Sequence, residues 1–168
     1  SWIPQVEEVL GAKPTYWVIN AGTKGDFTAK AWGHANYQQV VDHFAGKLLF
    51  VQIGEAGHFH KPLKGALNLI GKTDTRQFIR LCYHANGGLG PTTFLQHIMA
   101  AWQKPYVCLL GGREPPSWVQ YPLQTTLHTM GALDCCRKEA CWKTQTVNQG
   151  GGHSVCLMPV EGEETLPK

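Results

Sequence analysis

The sequence has no apolar run near the roughly 18 residues of a membrane span, although 43% of its residues are hydrophobic. A membrane-spanning chain is thereby excluded and an ordinary buried core is favoured. Strong charge of either sign is missing too. Fifteen basic and 12 acidic residues leave a formal net charge of +3, and no Lys/Arg run is present of the kind that tracks a nucleic-acid backbone. That excludes a nucleic-acid partner and is compatible with a small anionic ligand. Ser1-Trp-Ile-Pro lacks the charged-then-apolar pattern of an export signal, so a cytoplasmic location is expected. There is no initiator Met, which fits a processed, trimmed or fragmentary product. Several chemical signatures are absent as well: no G-x-x-x-x-G-K-[S/T] phosphate loop, no G-x-G-x-x-G in the first expected turn, no C-x-x-C pair and no Asp-x-Asp. No Ser/His/Asp, Cys/His or paired-carboxylate arrangement stands out.

What remains is an alternation of strand-like and helix-like segments. The 168 residues suit one domain. Short β-rich apolar runs fall at 16–19, 48–53, 67–70, 87–89 and 106–110. Between them lie amphipathic stretches. Asn36 is expected to cap a helix with Tyr37, Val40, Val41 and Phe44 on one face. Asp74 caps one with Phe78, Ile79 and Cys82 inward, and Thr92 caps one over 93–103. This pattern predicts an α/β fold, a Rossmann-like parallel sheet with helices on both faces. Ligand sites would then lie beyond the carboxyl ends of the strands. Three segments are expected: an N-terminal helix over 1–13, the Rossmann-like domain over 14–118, and an irregular cysteine-containing segment over 119–168. Cys82 and Cys108 sit in apolar runs and read as core residues.

Three turns following strands carry the interesting chemistry: Gly22-Thr-Lys-Gly-Asp-Phe-Thr-Ala-Lys30, Gly54-Glu-Ala-Gly57 and Gly90-Pro-Thr-Thr93. Together they offer backbone N–H groups, hydroxyls, lysines and one carboxylate. A phosphate selects the amides and the cation, and a ribose diol selects a carboxylate. Ordinary strand-to-helix turns remain the alternative. The glycines of Gly87-Gly-Leu-Gly90 suggest backbone brought close to an anion. His97 reads either as a buried packing residue of its helix or as a group orienting a ligand. Lys30 and Trp32 read either as a phosphate contact with its packing partner or as a solvated lysine beside a core indole. His58-Phe-His60 could present two imidazoles to a metal. Cys135, Cys136, Cys141 and Cys156 read as a Zn or Fe site, as disulfides or as free thiols.

Gly22-Thr23 with Lys30-x-Trp32, the strand ending at Gly54-Glu55, Gly71-Lys-Thr-Asp-Thr-Arg-Gln-Phe-Ile-Arg80, and Thr92-Thr-Phe-Leu-Gln-His-Ile-Met-Ala-Ala101 before Lys104-Pro105 resemble the ADP-heptose:lipopolysaccharide heptosyltransferases. The resemblance covers roughly 14–118 and corresponds to the donor-binding half of that family. It implies half of a GT-B fold and an inverting transfer from a nucleotide-sugar, an ADP-sugar for preference, with no cofactor required for transfer. It implies that Thr23 and Lys30 hold the diphosphate, that Glu55 lies near the ribose, and that Thr92, Thr93 and His97 cradle the phosphates. The acceptor domain and its catalytic base would belong to a separate or missing N-terminal half. Where the family reads Asp-[Ser/Thr]-Gly-x-x-His, this chain has Thr92-Thr-Phe-Leu-Gln-His97, with no aspartate and a phenylalanine in place of the glycine.

Overall fold

The computed structural model describes residues 15–24, 30–110 and 114–128, and the backbone of 148–149 and 153–154. Its centre is a six-stranded sheet: β1 (Tyr16–Ile19), β2 (Leu49–Gln52), β3 (Leu67–Asn68), β4 (Gly87–Pro91), β5 (Tyr106–Leu110) and β6 (Gln124–His128). The strands lie in the order β3-β2-β1-β4-β5-β6 and every pairing is parallel. Parallel strands need long crossovers, and both faces of the sheet become covered. Alternate side chains therefore enter two separate cores. Tyr16, Val18, Val51, Tyr106, Cys108 and Leu110 pack on one face, while Ile19, Phe50, Leu89 and Leu109 pack on the other.

The helices divide accordingly. α1 (His34–His43) joins β1 to β2 and contributes Tyr37 and Val41 to the second core. α2 (Thr75–His84) and α3 (Phe94–Ala101) precede and follow β4 and contribute Phe78, Leu81, Leu95 and Met99 to the first. Right-handed crossovers that run in opposite directions along the sheet, from β1 to β2 and from β3 to β4, cover opposite faces. The expected Rossmann-like architecture is the one observed.

Local chemistry accounts for the element ends. Asp74 caps α2 with a reciprocal box: its Oδ1 accepts from Gln77 N–H at 2.8 Å, and Gln77 Oε1 accepts from Asp74 N–H at 2.9 Å. α1 starts earlier than expected, at His34. Gly33 with φ 95° is its N-cap, and Asn36 lies inside the first turn, donating from Nδ2 to Trp32 O at 2.6 Å. α3 is capped by Thr93 rather than Thr92.

Two further expectations are corrected. The strand expected at 87–89 is present as the fully buried β4, and its glycines do not bring backbone up to an anion. Its glycines are required by neighbouring rings. A Cβ on Gly87 would come 2.5 Å from Trp17 Cε2, and one on Gly88 would come 2.9 Å from Tyr106 Cδ2. The second correction concerns the end of the domain. The sheet continues past 118 through the short helix α4 (Pro116–Val119) into β6, which pairs with β5 over its whole length. Buried Gln96 of α3 fastens this addition: its Nε2 donates to Val119 O at 2.7 Å and to Gln124 Oε1 at 3.0 Å. Gln124 returns a bond to Gln96 O at 3.2 Å. β7 (Asn148–Gln149) and β8 (His153–Ser154) form a separate antiparallel pair flanking the glycine triplet. The expected helix over 1–13 lies outside the described residues, as do Cys135, Cys136, Cys141 and Cys156.

Candidate functional site

β1 is hydrogen-bonded to β2 on one side and to β4 on the other, so the chain reverses its path along the sheet between β1 and β4. The crossovers diverge there and leave a crevice beyond the carboxyl ends of the strands. A cleft of about 250 Å³ opens at this position, lined by Thr23, Lys24, Lys30, Thr92 and Thr93. Four of the six site residues expected from the sequence therefore converge. Residues 25–29 of the first turn lie outside the described residues.

Asn20, at the end of β1, ties the two lips of the cleft together. Its N–H donates to Leu89 O at 3.0 Å. Its Oδ1 accepts from Gly22 N–H at 3.2 Å, and its Nδ2 makes a long 3.5 Å contact to Thr93 Oγ1. Thr93 makes no side-chain hydrogen bond to the first turn of α3, so no side chain caps the amides there. Thr92 is buried, with its hydroxyl 3.7 Å from Cys108 Sγ. Burial pushes that thiol up to about 11, which leaves it protonated and unreactive at neutral pH.

Lys30 supplies the cation. Its Nζ donates to Thr92 O at 3.1 Å and forms an ion pair with Glu114 Oε1 at 3.0 Å. The two side chains are 21% and 22% exposed, so water screens the pair only partly.

The far side of the first turn is braced by the 58–60 segment. Phe59 N–H donates to Thr23 O at 3.0 Å. The His60 ring fills the gap between the ends of β1 and β2. A Cβ on Gly22 would collide with its Nδ1, and one on Gly54 would lie 2.6 Å from its Cδ2. Nδ1 is buried without a partner. Burial holds this imidazole below its ordinary range, His58 adds to the effect and Glu55 opposes it. The rings of His58 and His60 stack at 6.2 Å, and among the described residues no third ligand joins them in a metal-binding group.

Glu55 and His97 do not line the cleft. Glu55 stands exposed just beyond β2, its Oε2 3.6 Å from His58 Nε2. His97 is exposed rather than buried, and its Nδ1 lies 2.9 Å from the Tyr121 hydroxyl. The buried polar residue of α3 is its neighbour Gln96. Sequence reasoning missed Asn20, Glu114 and Tyr121, and it read His60 as a metal ligand rather than as a ring packed between strand ends. Asn20 had a usable signal, since an asparagine two residues before a glycine is a common side-chain-to-backbone turn.

A doubly wound parallel sheet with a cleft at its switch point defines a Rossmann-like domain. The chain belongs to glycosyltransferase family 9 (heptosyltransferase), whose sequence model matches residues 5–149. Among solved structures it is similar to the E. coli ADP-heptose lps heptosyltransferase II, with 16% identity, TM-score 0.61, and 76% of this chain matched to 42% of that one. It is similar to the family 9 glycosyl transferase of Veillonella parvula, with 17% identity, TM-score 0.57, and 77% matched to 40%. A third is the dodecameric iron-containing heptosyltransferase TibC, solved with ADP-D-beta-D-heptose, with 20% identity, TM-score 0.56, and 66% matched to 31%; TibC comes from enterotoxigenic E. coli. At these identities the likeness is one of fold. The chain spans between 31% and 42% of the length of these three structures. No curated protein matches it. Among the described residues, no helix is long and apolar enough to cross a membrane.

Proposed function

We propose that residues 14–128 form the donor-binding half of an inverting glycosyltransferase and hold the diphosphate of a nucleotide-sugar, an ADP-sugar for preference. One observation carries this reading: Thr23, Lys30, Thr92 and Thr93, from two turns far apart in sequence, meet in one cleft at the switch point of the sheet. Thr23 and Lys30 contact the diphosphate, and the uncapped amides at the start of α3 face it from the other lip. Glu55, beyond the adjacent β2, lies on the ribose side. His97 acts indirectly, through Tyr121.

In the transfer, an acceptor hydroxyl attacks the anomeric carbon. The new C–O bond forms as the bond to the diphosphate breaks, and the hydroxyl proton passes to a base on the acceptor-binding half. Negative charge grows on the departing nucleoside diphosphate. The Lys30 ammonium, the Thr23 hydroxyl and the helix amides stabilise it. Donors that are already oriented need no reorganisation at the moment of reaction, and this is where the rate gain arises. ADP-heptose is bound by TibC, and the reaction is proposed to be cytoplasmic. The cysteines at 135, 136, 141 and 156 are proposed as a structural Zn or Fe staple outside this chemistry.

Calorimetric titration of ADP, GDP and UDP into the 168-residue chain tests the reading. One nucleotide should bind in the micromolar to low-millimolar range, roughly 4–8 kcal/mol, and Lys30→Ala should weaken it about tenfold or more. Absence of binding by all three, or no effect of Lys30→Ala, sinks it. A second reading is a nucleotide-binding module that docks on a separate chain without turnover itself. Sugar transfer by this chain alone would exclude it.

A further inference from the structure

The Lys30 ammonium, placed above at the diphosphate, is already engaged by groups of the protein. Glu114 Oε1 lies 3.0 Å from it, closer than the Thr92 carbonyl at 3.1 Å. Glu114 follows β5, the strand beside β4, so it approaches the cleft from a third carboxyl end. Its charge, like that of Lys30, also reaches the Cys108 thiol beneath Thr92. We propose that Glu114 is a positioning and specificity-determining residue: it holds Lys30 at the mouth of the cleft as an internal anion, and only a ligand carrying enough negative charge there displaces it. This rests on the donor-site reading.

The physical argument is one of exchange. An ammonium already paired with a carboxylate gains only the difference between its new anion and the old one. The carboxylate also stays nearby and repels whatever enters. A diphosphate, with several charges and bridging oxygens, outweighs both terms, whereas a monophosphate gains much less. Partial exclusion of water from the Lys30–Glu114 pair makes the exchange matter, because the same contact in open water would be nearly neutral in free energy. Discrimination against nucleoside monophosphates follows without any residue dedicated to the second phosphate. The same pair keeps the long lysine side chain in its binding rotamer between turnovers, so less ordering remains to be done when the donor arrives.

The test is Glu114→Gln, which keeps shape and removes charge, titrated beside wild type with ADP, AMP and inorganic pyrophosphate. Equal thermal unfolding of the two chains confirms that the fold is intact; Glu114→Asp serves if Gln does not fold. The proposal expects ADP and pyrophosphate to bind Glu114→Gln about threefold to tenfold more tightly than wild type. AMP should gain by more than ADP, narrowing the ratio between them. In a Lys30→Ala background the Glu114→Gln gain should vanish. If Glu114→Asp is used, the ADP:AMP ratio should stay near that of wild type, and a ratio that collapses despite the retained charge overturns the proposal. Unchanged or weaker ADP binding by Glu114→Gln overturns it and leaves the donor site standing, as does a gain that persists without Lys30. If pyrophosphate shows the gain but no nucleotide binds either chain, the role of Glu114 survives and the nucleotide reading falls. If neither chain binds any of the three, both fall.

Discussion

Replacing Gly90 by alanine should disturb the fold and the candidate site together. A Cβ at that position would come 2.9 Å from Asn20 O, 2.9 Å from the Tyr106 hydroxyl and 3.2 Å from Asn20 Cβ. None of these can step aside cheaply. The Asn20 carbonyl is backbone at the end of β1. The Tyr106 phenol is buried, donates to Pro91 O at 3.0 Å and lies against Gly88, where a further Cβ would meet its ring at 2.9 Å. The methyl group must therefore pry β1 from β4 or push Tyr106 off its partner. Overpacking of this kind costs about 1–3 kcal/mol, and losing the buried phenol's hydrogen bond adds about 1 kcal/mol. The sum, roughly 2–4 kcal/mol, lowers the melting temperature of a chain of this size by roughly 5–15 °C. Asn20 would move with its carbonyl, loosening its grip on Gly22 and Thr93, so ADP affinity should fall as well. The matched control is Gly46→Ala. Gly46 has φ 74° and nothing within 4 Å, so alanine there incurs left-handed strain of roughly 1–2 kcal/mol and should leave ADP binding alone. Thermal unfolding by circular dichroism and ADP calorimetry read both effects. A Gly90→Ala chain that melts no lower than Gly46→Ala, or binds ADP as wild type does, would refute the reasoning.

Two further outcomes follow from the same geometry. Asn20→Asp keeps the acceptor for Gly22 N–H but replaces the amide that reaches Thr93 Oγ1 with a charge beside the cleft. Calorimetry should show ADP affinity reduced about tenfold or more with a small change in melting temperature, and an unchanged affinity would show that Asn20 does not set the lips. His60, held below its ordinary range by burial, then by His58, and opposed by Glu55, is a group the fold prefers neutral. Its folded pKa is depressed below the unfolded value of about 6.5, so its stabilisation is fully present above about pH 6.5 and is lost as pH falls through the folded value. The urea midpoint should therefore drop between about pH 7.5 and 5.5, and it should drop less in His60→Phe. Parallel declines in the two chains would assign the acid sensitivity elsewhere.

Much of this architecture is legible in the sequence because each core strand carries its own signal. Tyr16-Trp-Val-Ile19 and Tyr106-Val-Cys-Leu-Leu110 are apolar throughout, as strands covered on both faces must be. Asp74 with Gln77 announces α2 through local bonds alone. The errors occur where the cause lies far along the chain. The glycines of β4 have the composition of a phosphate turn, yet what requires them is the rings of Trp17 and Tyr106 on neighbouring strands. β6 is mostly polar, and its place in the sheet depends on Gln96, a residue whose burial no local pattern reports. The inward face of α3 runs through Leu95, Gln96 and Met99, which turns His97 outward to Tyr121. Within the site, Thr23 and Thr93 could be placed together because alternating strands and helices put both turns at one edge of the sheet. Glu114 could not, since its relevance depends on β5 lying next to β4.

That position of Glu114 bears on the departure from the family pattern. The resemblance leads one to expect an aspartate where Thr92 stands, and a carboxylate there would sit directly ahead of α3. Here the Thr92 hydroxyl turns inward to Cys108, and its carbonyl accepts from Lys30. A carboxylate on this cation arrives instead from beyond β5. The negative charge near the cleft thus comes from beyond β5 rather than from the start of α3. The consequence is mechanical as well as electrostatic. An aspartate at the start of the helix would compete with an incoming anion for the same amides. A glutamate on Lys30 competes only for the cation and leaves the helix amides to the ligand. Restoring the carboxylate by Thr92→Asp should then weaken ADP binding in the wild-type background and weaken it less where Glu114→Gln has removed the second negative charge, because the two carboxylates act on one anion and their effects reinforce each other.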